Sequence, residues 1–127
     1  MFLKKITTLL PALFVLVLAG SAFAAFTRTM PHSSADLLTY LTTIHVNRSH
    51  VKSVVVNQSS SHIEVDLDEQ SGTSTLGDHD QYIPIRKGKA ADAKVVMDRI
   101  WAQSAKGVAP TAADAQALYD MIDQTAN

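Results

Sequence analysis

Apolar and polar positions along the chain fall into blocks with different periods. The clearest block is His62-Ile63-Glu64-Val65-Asp66-Leu67-Asp68, in which every second residue is apolar. A strict period of two belongs to a strand with one buried and one wet face, which assigns Ile63, Val65 and Leu67 to the core and His62, Glu64, Asp66 and Asp68 to water. The β-branched run Val51 to Asn57 precedes it, and the polar Gln58-Ser59-Ser60-Ser61 between them has the length of a hairpin loop. Tyr82-Ile83-Pro84-Ile85 reads as a third short strand, confined to an edge because Pro84 has no N–H to give a ladder. Glu69 to Gln81, rich in Gly, Ser and Thr, is expected to form a mobile loop.

Three other blocks follow a helical period. Leu37, Tyr40, Leu41 and Ile44 share one face of a segment that opens at Ser33, a capping residue, with Asp36 three positions on. From Ala90 to Ser104, Ala93, Val96, Met97, Ile100 and Trp101 form a second stripe, stopped by Gly107 and Pro110. A third begins at Pro110-Thr111, with Asp114 in its first turn and Ala115, Leu118, Tyr119 and Ile122 on its apolar side. The short link between the last two helices predicts antiparallel neighbours. Strands grouped between helices predict an α+β domain: an N-terminal helix, a small antiparallel sheet of two to three strands, and two C-terminal helices on one face.

The first residues obey different rules. Lys4 and Lys5 precede an apolar run from Ile6 to Ala19, and Ala22-Phe23-Ala24 places small residues where a signal peptidase needs them. We expect cleavage after Ala24, dividing the chain into a signal peptide, 1–24, and one exported domain, 25–127. An uncleaved anchor is the alternative, since Ile6 to Phe26 approaches bilayer-spanning length despite Pro11, Gly20 and Ser21. The compact signal suggests a bacterial protein, periplasmic or secreted. Loss of Lys4 and Lys5 from a chain with 11 basic and 12 acidic residues leaves a net charge of about −3.

Composition narrows the chemistry. The chain has no cysteine, which removes disulfides, thiolate nucleophiles and zinc ribbons, and the exported domain must rest on apolar packing. Its charge balance offers no basic footprint for nucleic acid; Arg86-Lys87-Gly88-Lys89 reads as a solvated turn. There is no Gly-x-Ser-x-Gly elbow, no phosphate loop, no His-Glu-x-x-His and no dinucleotide fingerprint. Asp66-x-Asp68-x-Gln70 opens like a calcium loop, but Ser71 stands where the loop needs glycine and Gly77 where it needs glutamate. Asp78-His79-Asp80 sets a histidine between two carboxylates, yet in extended chain the two carboxylates point away from His79. No metal and no cofactor are therefore assigned.

These patterns predict a small exported, non-enzymatic binding protein of the cell envelope. Its partner, a protein or an envelope component, is expected to be cationic. The binding surface would comprise Glu64, Asp66 and Asp68 with Asp78, His79 and Asp80 beside them. The exposed edge of the hairpin allows a homodimer. Two other readings are a small hydrolase or metal-dependent enzyme built on His62, Glu64 and Asp66, and an acid-stress protein driven by the five histidines.

Overall fold

The computed structural model describes residues 27–68 and 80–125. The leader and its cleavage site, Asp78 and His79 lie outside the described residues. In chain order the elements are β1 (Thr27–Arg28), α1 (Ser34–Val46), a 3-10 turn (Arg48–His50), β2 (Val51–Asn57), β3 (His62–Leu67), β4 (Gln81–Pro84), α2 (Ala90–Ala105) and α3 (Ala112–Tyr119). The class is α+β, with three α-helices and one sheet among the described residues.

The sheet has four strands in the order β1-β4-β3-β2 and is mixed. β2, β3 and β4 are antiparallel, while β1 runs parallel to β4 through Thr27↔Gln81 and Arg28↔Tyr82. This corrects the expected two or three antiparallel strands: the polar lead before α1 contributes a strand too short for any periodicity. The expected loop also ends sooner, since Gln81 already belongs to β4. Nor is β4 an edge, although its proline is accommodated as an edge proline would be. β1 covers only Gln81 and Tyr82, so Pro84 extends past it, and the missing N–H interrupts no β1 pair.

One irregularity sets the burial pattern of the hairpin. Val51, Val54 and Val56 are all buried, yet Val51 and Val54 are three apart, which a regular strand puts on opposite faces. The register shifts between Val51↔Leu67 and Ser53↔Asp66, leaving Lys52 as the extra residue of a β-bulge. The bulge returns Val51 to the core side. At the other end Ser61 adopts a left-handed φ of 54°, and Asn57 Oδ1 accepts from the backbone N–H groups of Ser59 and Ser60, which closes the turn.

The helices begin where their caps dictate. Ser33 Oγ accepts from Asp36 N, and Asp36 Oδ2 in turn accepts from His32 N. At α3 the box is reciprocal: Thr111 Oγ1 accepts from Asp114 N, and Asp114 Oδ2 accepts from Thr111 N. Leu37, Leu41 and Ile44 of α1, Ala93, Met97 and Ile100 of α2 and Ala115 and Leu118 of α3 converge with Val54, Ile63, Val65 and Ile83 in one core. Ala90 and Ala93 are buried, and α2 packs on β2. α3 packs against α1 as well as α2. Ile122 reaches the core from beyond the end of α3, through a bridge with Ile85. Trp101 and Tyr119, expected in the core, are half-buried at its margin. Among the described residues no helix is long and apolar enough to cross a membrane.

Candidate functional site

The helices take one face of the sheet and leave the other to polar side chains. Alternation along β3 puts His62, Glu64 and Asp66 on that open face, opposite Ile63, Val65 and Leu67. The register then assigns their neighbours. Glu64 lies between Val55 of β2 and Tyr82 of β4, with Arg28 of β1 beyond Tyr82. His62 lies between Asn57 and Pro84, and Asp66 is paired with Ser53 beside the bulged Lys52. Val55, at 45% exposure, is the large apolar residue of this face.

His62 is the centre of a compact polar cluster. Its Nε2 is 3.3 Å from Glu64 Oε2 and 3.2 Å from Ser60 Oγ, and its ring lies 5.2 Å from that of Tyr82, tilted by 50°. Glu64 Oε2 also accepts from Asn57 Nδ2 at 3.3 Å. Serine, histidine and glutamate are thus adjacent, but both partners meet the same ring nitrogen. A nucleophile relay needs an imidazole that accepts from the serine at one nitrogen while the other donates to the carboxylate. A single Nε2 cannot do both. The arrangement holds a carboxylate in place without activating the hydroxyl.

At the other end of the face Asp66 and Asp80 form a carboxyl pair. Burial raises the Asp66 pKa above the usual carboxylate range, and so do the charge of Asp80, a carboxyl–carboxyl hydrogen bond and the charge of Glu64; Lys52 opposes them. Asp80 is anchored in turn, since its Oδ1 accepts from Leu67 N at 2.9 Å. Asp68, one residue past β3, donates its N–H to His50 O at 2.8 Å. Of the six residues expected to form the binding surface, Glu64, Asp66 and Asp80 come together on the open face and Asp68 follows at its end. Asp78 and His79 lie outside the described residues. Among the described residues no three or more His, Asp or Glu side chains are grouped to hold a metal ion.

Sequence reasoning missed two kinds of residue here. Lys52 and Arg28 place cations within the acidic face, one through the bulge and one through the parallel strand. Tyr82 adds the ring against which His62 rests, and its alternation with Ile83 is the one signal that pointed to it. Other polar groups serve the frame. His45 Nδ1 meets the buried Ser104 Oγ at 2.6 Å, and the Arg48 guanidinium lies 3.9 Å over the Trp101 ring while donating to Trp101 O. Both tie the end of α1 to α2. Burial pushes the Tyr40 phenol far above its ordinary range; its hydroxyl donates to Gln81 Oε1.

Comparison with protein-family models, curated proteins and solved structures finds no match to this chain.

Proposed function

We propose that this chain is a small exported binding protein of the bacterial cell envelope, periplasmic or secreted, and that the open sheet face takes a cationic partner without catalysing a reaction. The observation that carries this reading is the convergence of Glu64, Asp66 and Asp80 on the sheet face turned away from the core. Carboxylates held on a rigid sheet attract a cation without reorganising, and ordered side chains lose less entropy on binding than free ones. Lys52 and Arg28 flank the carboxylates, so the partner best matched to this face presents its own charges in a pattern, as a basic peptide segment does. The single-nitrogen geometry at His62 favours binding over the hydrolase reading.

Association with a lysine-rich peptide tests the proposal. The double variant Glu64→Gln, Asp66→Asn should slow association roughly three- to tenfold at low salt, with an unchanged circular dichroism spectrum, because charges at an exposed rim act mainly on the on-rate. Added salt should shrink the difference, as exposed charges are screened within about 8 Å at physiological ionic strength. Equal rates for both proteins at low salt would refute the assignment of this face. Export is tested separately: the mature protein should begin at Ala25 by mass spectrometry, and an intact chain in the membrane fraction would refute cleavage.

A further inference from the structure

We propose that His62 is a proton-operated switch on this face, so that the protein holds its cationic partner at neutral pH and releases it in mild acid. The inference rests on the cationic-partner reading above and adds its regulation. Glu64 sits mid-sheet, and His62 Nε2 lies 3.3 Å from its Oε2. A neutral imidazole donates one hydrogen bond there and leaves the carboxylate its charge. A protonated imidazole brings a full positive charge to the same distance, pairs with Glu64 and competes with any cation the partner offers.

The surroundings of His62 place that added charge among carboxylates. Its own strand contributes Glu64 and, further along, Asp66. The turn contributes Ser60 and β2 contributes Asn57, both uncharged, with Lys52 at the far end of the strand. From β4 come Tyr82 and, just before the strand, Asp80, and from β1 comes Arg28 at the register position beside Tyr82. Glu64, Asp66 and Asp80, with Asp68 at the end of the face, outnumber Lys52 and Arg28, so the face is negative when His62 is neutral, and protonating His62 lowers that charge beside Glu64. Side-chain exposures of 16% for His62 and 24% for Glu64 keep the pair partly out of water, where screening is weaker than at a fully exposed pair. The Asp66–Asp80 pair acts in the same direction, because burial and the neighbouring Asp80 carboxyl raise the Asp66 pKa, so that it takes up its proton early as pH falls.

Binding of a dye-labelled pentalysine peptide, followed by fluorescence anisotropy at low salt, tests this switch. Between about pH 7.5 and about pH 5.5, where imidazoles titrate, wild-type affinity should fall roughly three- to tenfold. His62→Gln keeps a neutral hydrogen-bond donor beside Glu64; it should bind like the wild type at the higher pH and lose most of the fall. His62→Lys should bind weakly at both values. A fall that His62→Gln leaves unchanged would overturn the switch while the acidic-face reading stands. No pentalysine binding by the wild type at either pH would overturn that reading and the switch with it. Thermal unfolding at both pH values checks that each variant is folded.

Discussion

The two faces of β3 are made from one six-residue strand and obey opposite rules. On the core side Ile63 and Val65 expose 1% and 0% of their surface and meet Val56 and Val54 across the hairpin. On the open side His62, Glu64 and Asp66 stand over the same backbone, held by hydrogen bonds at their tips. The core face is stabilised by area removed from water, which has no direction, and so any well-shaped apolar side chain serves. The open face depends on which atom meets which. Its contribution to stability is expected to be small, as for exposed polar pairs in general.

The largest test of this contrast compares neighbours. Ile63→Ala should cost about 2–5 kcal/mol in urea unfolding, because it removes transfer energy and leaves a cavity. Glu64→Ala, one residue on, should cost less than about 1 kcal/mol, as surface changes do. Similar costs at both sites would break the division of labour between the faces.

A smaller effect is expected where polar atoms do stabilise the fold. Thr111→Ala removes the side-chain half of the α3 capping box and should cost about 1 kcal/mol. Asp114, the other half, also takes Arg99 Nη2 at 2.7 Å. Burial pushes Asp114 up, but the hydrogen bonds from Arg99 and Thr111 outweigh it and hold the carboxyl below its usual range. A depressed carboxyl stabilises the fold above its unfolded pKa, and the stabilisation is lost as pH falls through the folded value. Asp114→Asn should therefore lower Tm at neutral pH and flatten the acid limb of a Tm-against-pH curve.

Asp66 should show the opposite sign and the smallest effect. Its folded pKa is raised, so the ionised form is disfavoured by folding, and the penalty disappears as pH falls through the folded value. Asp66→Asn should raise Tm slightly at neutral pH and leave it unchanged in acid. A fall in Tm at neutral pH would mean that the Asp66–Asp80 contact stabilises the fold.

Much of this organisation was legible in the sequence wherever a period ran long enough to be read. The alternation of β3, the stripes of the three helices and the caps at Ser33 and Thr111 fixed their elements and inward faces. What was not legible depends on partners distant in sequence. A two-residue β1 has no period, and only its pairing with β4 defines it. The bulge at Lys52 has no local signature in a run of β-branched residues. The approach of Asp80 to Asp66 follows from β4 returning beside β3, which neither residue announces. The acidic face was thus legible along β3 but not across the sheet, and its cations and tyrosine lay in the direction that periodicity does not show.

The bulge at Lys52 has a consequence for how the hairpin chooses its alignment. On one side of it Val51 faces inward, and on the other Val54 and Val56 do, in opposite phase. A plain alternating strand slipped by one position exchanges its two faces, and slipped by two it restores them, so several alignments compete. A strand with a phase change has no such second solution. Sliding β2 by two residues past β3 would leave the irregularity facing the wrong partner and strand at least one valine in water. The extra residue therefore acts as a keyway: it admits one alignment of a valine-rich strand with its alternating partner and discourages the misaligned pairings from which swapped or aggregated chains grow.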